Sequence, residues 1–214
     1  MKQELVRMNS IDGIEMVGIL YEPEEKSNTI VIHVHGLCGN FYENRFLDTL
    51  AKTYTNKGIS FLTFNNRGTN FISELLKGNE FEIIGGCYEK FIDCLLDIEG
   101  AINYAKKKGY KDIILEGHSY GCNKVICYYD KKKDESIKKI VLLAPCDIPQ
   151  ECIKYLSEEE YEIAKRESTR LVSEGKKNEL IDFSVNANGK ISAGTYYQDF
   201  LPHGENDFIR YVDG

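Results

Sequence analysis

Hydrophobic residues along the chain follow two repeating patterns. Short apolar runs suited to strands covered on both faces occur at 29–34, 59–64, 111–116 and 137–144. Apolar residues at three- and four-residue spacing predict helices over 44–56, 88–108 and 122–130. Strands that alternate with helices of this length predict a mostly parallel sheet with right-handed crossovers.

The two ends of the chain depart from this alternation. Residues 4–8 and 14–21 predict an antiparallel hairpin joined by the turn at 10–13, whereas 73–86 has no regular pattern. Charged residues with sparse apolar positions predict one helical stretch over 151–173, and 180–214 has mixed, aromatic-rich segments. We therefore predict an α/β fold, a three-layer α/β/α sandwich, with a core over 1–149 and a second region over 150–214.

Composition narrows the possible partners. The 214 residues carry a net charge of −7, which argues against nucleic acid because phosphate binding needs a basic face. No apolar run approaches the length of a membrane span, and the first ten residues are polar, without the apolar segment of a signal peptide. The seven cysteines have no metal-ligand spacing. We expect a cytoplasmic protein with reduced cysteines, no metal and no cofactor.

The sequence Gly117-His118-Ser119-Tyr120-Gly121 stands between the predicted strand 111–116 and the predicted helix 122–130. Gly-x-Ser-x-Gly in this strand–turn–helix context is the pattern of a nucleophile elbow, and the context argues against a chance match. The tight turn strains the serine backbone, and Gly117 and Gly121 avoid clashes between strand and helix. We expect the Ser119 hydroxyl at the carboxyl end of its strand, with the Tyr120 N–H directed at a developing oxyanion.

Three further segments follow the predicted parallel strands and reach the same edge of the sheet. They are the glycine-rich loop 35–40, the loop 65–68 and Asp147. Ligands of open α/β sheets bind beyond the carboxyl ends of the strands, so we expect a functional site here.

Together these motifs resemble the α/β-hydrolase superfamily. His35-Gly36 follows a strand, an Asn-Asn-Arg-Gly loop comes about 30 residues later, and the serine motif completes the pattern; the opening of the chain resembles feruloyl-esterase-like and monoacylglycerol-lipase-like members. The resemblance implies a serine hydrolase that cleaves a small-molecule acyl ester through an acyl-enzyme on Ser119. It also implies an oxyanion hole built from the backbone N–H groups of Leu37 and Tyr120. His35, Gly36, Gly117, His118 and Gly121 would support this loop and the elbow.

The base and the acid of the triad are less clear from the sequence. In this fold the chain order is serine, acid, histidine, and only His203 follows Ser119. The stretch 150–214 resembles a cap and lacks the two further buried strands that usually precede the acid and the histidine, which favours a C-terminally incomplete hydrolase. The competing interpretation is a compact triad of Ser119 with His203 as base and Asp147 as acid. An incomplete chain would be a catalytically impaired fragment or a non-catalytic binding module, and its exposed last strand would favour self-association.

Overall fold

The computed structural model describes residues 1–184, 189–201 and 206. The strands, in chain order, are β1 Lys2–Asn9, β2 Glu15–Glu22, β3 Thr29–Val34, β4 Ser60–Phe64, β5 Glu74–Lys77, β6 Glu80–Ile83, β7 Asp112–His118, β8 Ile137–Leu143, β9 Leu180–Asp182 and β10 Lys190–Ser192. The helices are α1 Phe46–Thr55, α2 Cys94–Lys107, α3 Tyr120–Lys132, α4 Ile148–Tyr155, α5 Glu158–Ser173 and α6 Ala193–Asp199, with a short 3-10 helix at Phe91–Asp93.

Six strands form the main sheet in the order β1-β2-β4-β3-β7-β8. β1 and β2 are an antiparallel hairpin, and β2 also pairs antiparallel with β4, whereas β4, β3, β7 and β8 are parallel. The predicted hairpin and parallel sheet are therefore confirmed. The topology places β3 and β7 side by side at the centre. These strands lead into the glycine-rich loop 35–40, called the HG loop after His35-Gly36, and into the serine turn 117–121.

Helices cover both faces of this sheet, which makes the predicted three-layer sandwich. The apolar stripes of α2 and α3 pack with one face of the sheet in the largest core, which includes Ile98, Val125 and Leu115. Leu47 and Ala51 of α1 pack against the other face. The central strands β3, β4 and β7 are largely buried on both sides, because helices cover both faces of the sheet.

Three predictions about local structure were wrong. Residues 73–86 contain the antiparallel hairpin β5–β6, whose register pairs Leu76 with Phe81. The helix expected over 88–108 begins only at Cys94, after the 3-10 helix. The stretch 151–173 is two helices, because Ser157 forms a capping box with Glu160 and starts α5 afresh.

The C-terminal part of the chain has its own apolar cluster, built from α5, α6 and the two-stranded sheet of β9 and β10. Phe183, Tyr196 and Phe200 are its buried rings. Leu37 and Ile148 pack both against this cluster and against the smaller cluster of Phe91 and Tyr120 beside α3. This C-terminal cluster, called the C-terminal layer, thus lies next to the start of α3, the helix that follows Ser119.

Two further observations concern membrane-spanning helices and cysteines. Within the described ranges, no helix combines the length and the hydrophobicity that a membrane crossing requires. The described cysteines are free thiols, and four of them are buried, including Cys94, Cys122 and Cys127.

Candidate active site

Ser119 occupies a sharp turn between β7 and α3. Its backbone has φ 52° and ψ −124°, a left-handed conformation that a non-glycine residue adopts only under strain. Two hydrogen bonds stabilise this strained conformation. The Ser119 N–H donates to Leu143 O at 2.9 Å, and the Cys122 N–H donates to Ser119 O at 2.8 Å. The hydroxyl therefore stands at the carboxyl end of a central strand.

The two glycines of the motif have no room for a side chain. A β-carbon on Gly117 would lie 2.4 Å from Gly121 O, and one on Gly121 would lie 2.1 Å from Val34 O. Real β-carbons do not approach a backbone oxygen so closely. The glycines allow β7, α3 and the end of β3 to meet at the serine turn.

The glycine-rich loop after β3 touches this turn directly. A β-carbon on Gly36 would lie 3.0 Å from Ser119 Cβ and 3.4 Å from Ser119 Oγ. Leu37 follows, and Cys38 takes φ 54° to turn the chain back, so that the Gly39 N–H donates to Gly36 O at 3.1 Å. The segment predicted to supply one oxyanion donor thus adjoins the nucleophile predicted to need it.

His35 is buried and stabilises this loop through hydrogen bonds of both its ring nitrogens. Its Nε2 accepts the Asn66 N–H at 3.2 Å, so the ring proton is on Nδ1, which donates to Gly36 O at 2.8 Å. Burial, and next the nearby Lys124 ammonium, lower the pKa of His35 to about 3. His35 is therefore a neutral imidazole that joins the loops after β3 and β4.

The other two histidines of the core lie on the α1 side of the sheet. His33 Nδ1 is 2.8 Å from the Glu116 carboxylate, which also accepts the Tyr54 hydroxyl at 2.6 Å, and both His33 and Glu116 are fully buried. His118 packs on Phe46 at 4.8 Å between ring centroids, and burial lowers its pKa. Among the described histidines, none hydrogen-bonds to the Ser119 hydroxyl. His203 lies outside the described residues.

The segment after β8 approaches Ser119 from the other side. Cys146 Sγ is 3.9 Å from Ser119 Oγ. Asp147, the next residue and the candidate acid, is partly buried and accepts the Gln150 N–H at 3.3 Å at the start of α4. The structure therefore brings Ser119, the HG loop and the Asp147 segment to one edge of the sheet.

Buried charges beneath this edge were missed by the sequence analysis. Lys124 of α3 is fully buried and paired with Glu89, which is 2% exposed. Arg67 forms an ion pair with buried Asp97 at 2.8 Å and holds the loop after β4. One signal was available for Lys124, because it falls four residues after Tyr120, on a helical stripe whose neighbours are buried.

The described part of the chain contains no group of three or more histidine, cysteine or acidic side chains placed to hold a metal ion.

Comparison with known proteins agrees with this geometry. A family model described as alpha/beta hydrolase fold matches residues 29–201. The chain belongs to this family, and the resemblance predicted from the HG loop and the serine motif is confirmed. A search of curated proteins gave no match.

Several solved structures share the fold at low identity. The α/β hydrolase GrgF from Penicillium sp. sh18 has a TM-score of 0.67 and 17% identity, over 99% of this chain and 77% of that protein. Est1E from Butyrivibrio proteoclasticus, solved with ferulic acid bound, has a TM-score of 0.61 and 19% identity, over 91% of this chain and 74% of that protein. An esterase from Pyrococcus furiosus has a TM-score of 0.56 and 20% identity, over 77% of this chain and 61% of that protein. Across eight such structures the chain spans 54–77% of the other protein's length.

Proposed function

We propose that this chain is a serine hydrolase that cleaves an acyl ester through a covalent acyl-enzyme on Ser119. One observation carries the proposal: a serine strained at φ 52° between a central strand and a helix, with the glycine-rich HG loop in contact with it. The α/β-hydrolase fold and the esterases among its structural neighbours support hydrolase chemistry.

In the proposed reaction, Ser119 Oγ attacks the ester carbonyl carbon while a base takes the hydroxyl proton. The carbonyl oxygen becomes an oxyanion and accepts hydrogen bonds from the N–H groups of Leu37 and Tyr120. Collapse of the tetrahedral intermediate breaks the bond to the alcohol oxygen, which leaves with the proton. Water then attacks the acyl-enzyme by the same route and releases the carboxylic acid.

For the base and the acid we propose His203 and Asp147. The position of Cys146 against the Ser119 hydroxyl supports Asp147, since the adjacent residue is then near the reacting atoms. His203 is proposed from chain order, because His33 and His35 are buried in other hydrogen bonds.

The proposed substrate is a small-molecule acyl ester. Est1E binds ferulic acid, which makes esters of aromatic acids a sensible first set to assay alongside short aliphatic esters. We also propose a cytoplasmic location, which the free thiols of the described cysteines support.

A fluorophosphonate probe tests the proposal. We expect Ser119 to be labelled, labelling to vanish in Ser119→Ala, and hydrolysis of p-nitrophenyl butyrate to fall by about 10⁴-fold or more, as for other triad losses. Loss of labelling in His203→Ala would support the compact triad. An unlabelled Ser119 in folded protein would overturn the enzyme proposal.

A non-catalytic binding module is the second candidate. It is favoured by one observation, that none of the histidines in the described ranges reaches the Ser119 hydroxyl. The same probe separates the two, since a binding module would leave Ser119 unlabelled while retaining affinity for an ester or its acid product. Equilibrium dialysis with ferulic acid would measure that affinity.

A further inference from the structure

A buried polar relay runs beneath the candidate oxyanion hole. Its side chains come from three segments far apart in sequence: His35 after β3, Asn66 after β4, and Lys124 on the nucleophile helix α3. Each is at most 1% exposed, as is usual only for polar groups with assigned partners. Glu89, also buried, completes the charge balance by pairing with Lys124.

The hydrogen bonds of the relay lead in one direction. Lys124 Nζ donates to Asn66 Oδ1 at 3.3 Å, the Asn66 N–H donates to His35 Nε2 at 3.2 Å, and His35 Nδ1 donates to Gly36 O at 2.8 Å. Gly36 O belongs to the same planar peptide as the N–H of Leu37. Fixing this carbonyl therefore fixes the direction of that N–H, and a bonded carbonyl makes its own N–H a stronger donor.

The other end of the relay is the helix that carries the second proposed donor. Lys124 lies four residues after Tyr120 on α3, and its ammonium is 5.2 Å from the centre of the Tyr120 ring. The relay therefore spans from the start of α3 to the Gly36–Leu37 peptide, the two backbone elements that must aim at one oxygen atom.

We propose that Lys124, balanced by Glu89, is a positioning residue that holds the two oxyanion donors in register through Asn66 and His35. This inference rests on the proposed function of Leu37 and Tyr120. Stability alone does not account for the pair, because taking two charges out of water is unfavourable and apolar residues of similar volume often stabilise a fold as well. A fixed geometry at the reacting oxygen does account for it, since small displacements of catalytic donors are costly in rate.

Electrostatics supports the same geometry. A doubly protonated His35 would present a second N–H to the Asn66 N–H and break the relay. Burial, and then the Lys124 ammonium, keep the pKa of His35 low, so the ring stays neutral and Nε2 remains an acceptor.

The test is the double variant Lys124→Met/Glu89→Gln, which removes both charges while keeping side chains of similar length. We expect kcat and the rate of fluorophosphonate labelling to fall about 10- to 100-fold, with KM nearly unchanged, because oxyanion bonds form mainly in the transition state. The matched control is Lys132→Met/Glu99→Gln, which removes a partly exposed pair on α3 and α2 and should leave the rates as they are. A folded double variant with unchanged rates would overturn the proposal.

A second measurement does not depend on activity. Histidine ¹⁵N NMR should show His35 in wild type as a neutral ring protonated on Nδ1 down to about pH 5, assigned by its absence in His35→Asn. In the Lys124→Met/Glu89→Gln variant we expect the pKa of His35 to rise and its Nδ1 proton to exchange faster. Unchanged His35 signals would overturn the relay, whereas an unlabelled wild-type Ser119 with these shifts present would overturn only the proposed function.

Discussion

Gly121 is the residue of the serine turn with least room for any change. A β-carbon there would meet Val34 O at 2.1 Å and His35 O at 2.8 Å, both backbone atoms at the end of β3. We expect Gly121→Ala to lower the free energy of unfolding by about 3 kcal/mol, the upper range of overpacking costs. Urea denaturation of the purified variant measures this.

The control for this change is Gly58→Ala. Gly58 has φ +73° and nothing within 4 Å of a new β-carbon, so only the left-handed backbone cost of about 1–2 kcal/mol applies. Equal losses in the two variants would mean that the contact with β3 is not tight.

Among individual residues, the sequence predicted those whose role depends only on their neighbours in the chain. Ser119, Gly117 and Gly121 were found because five consecutive residues and their flanks define the turn. The buried pair of Lys124 and Glu89 was not, and neither was the contact of Lys124 with the loop 65–68, because Lys124 meets partners 58 and 35 residues away. A single sequence gives no indication of which buried polar groups will face each other across such distances.

Among the elements, α6 is tied to the 3-10 helix at Phe91–Asp93 by one buried carboxyl. Asp199 is 2% exposed and accepts the Phe91 N–H at 3.0 Å. Burial, and next the Glu89 carboxylate, raise the pKa of Asp199 well above its usual value, so the folded state keeps this proton at pH values where the unfolded chain has already lost it.

The expected pH dependence of this contact follows from proton linkage. Above pH ~4 the unfolded chain releases the Asp199 proton and the folded chain does not, so stability falls as pH rises, by about 1.4 kcal/mol per pH unit until the raised pKa is reached. Asp199→Asn keeps the acceptor and cannot ionise. We expect it to be more stable than wild type at pH 7 and to lose that advantage near pH 4, as measured by urea denaturation at both. A variant less stable than wild type at pH 7 would contradict the assignment.

The hairpin β5–β6 shows why one element was missed. Its strands are only four residues each and carry exposed Phe81 and Ile83, so no periodic buried face marks them. Its turn did leave a signal, since Gly78 with φ +63° and Asn79 make a two-residue connection typical of tight hairpins. The long parallel strands and helices, by contrast, were predicted because their burial repeats over several turns or residues.

For the whole molecule, the described sheet ends in two outer strands of different character. β8 has four consecutive half-exposed apolar residues, 140–143, whereas β1 alternates polar and apolar positions. An outer strand with apolar side chains is prone to pair with another chain.

We therefore expect self-association at micromolar concentration, measured by multi-angle light scattering. Val141→Lys on β8 should reduce it, because a lysine on an outer strand opposes pairing. Leu5→Lys, at a 65% exposed position on the opposite outer strand β1, should not. A wild-type protein that is monomeric at all accessible concentrations would contradict the expectation.

Leu37 packs both against the C-terminal layer and against the cluster of Phe91 and Tyr120 at the start of α3. The Leu37 N–H, which is proposed to donate to the substrate's oxygen, is therefore held in place by side chains that take no part in the proposed reaction. For the proposed ester hydrolysis, we expect substitutions among those C-terminal side chains to shift the Leu37 amide, and so to change kcat together with the preference for the acid or the alcohol. Variants selected for a new ester should therefore be assayed for rate as well as for preference.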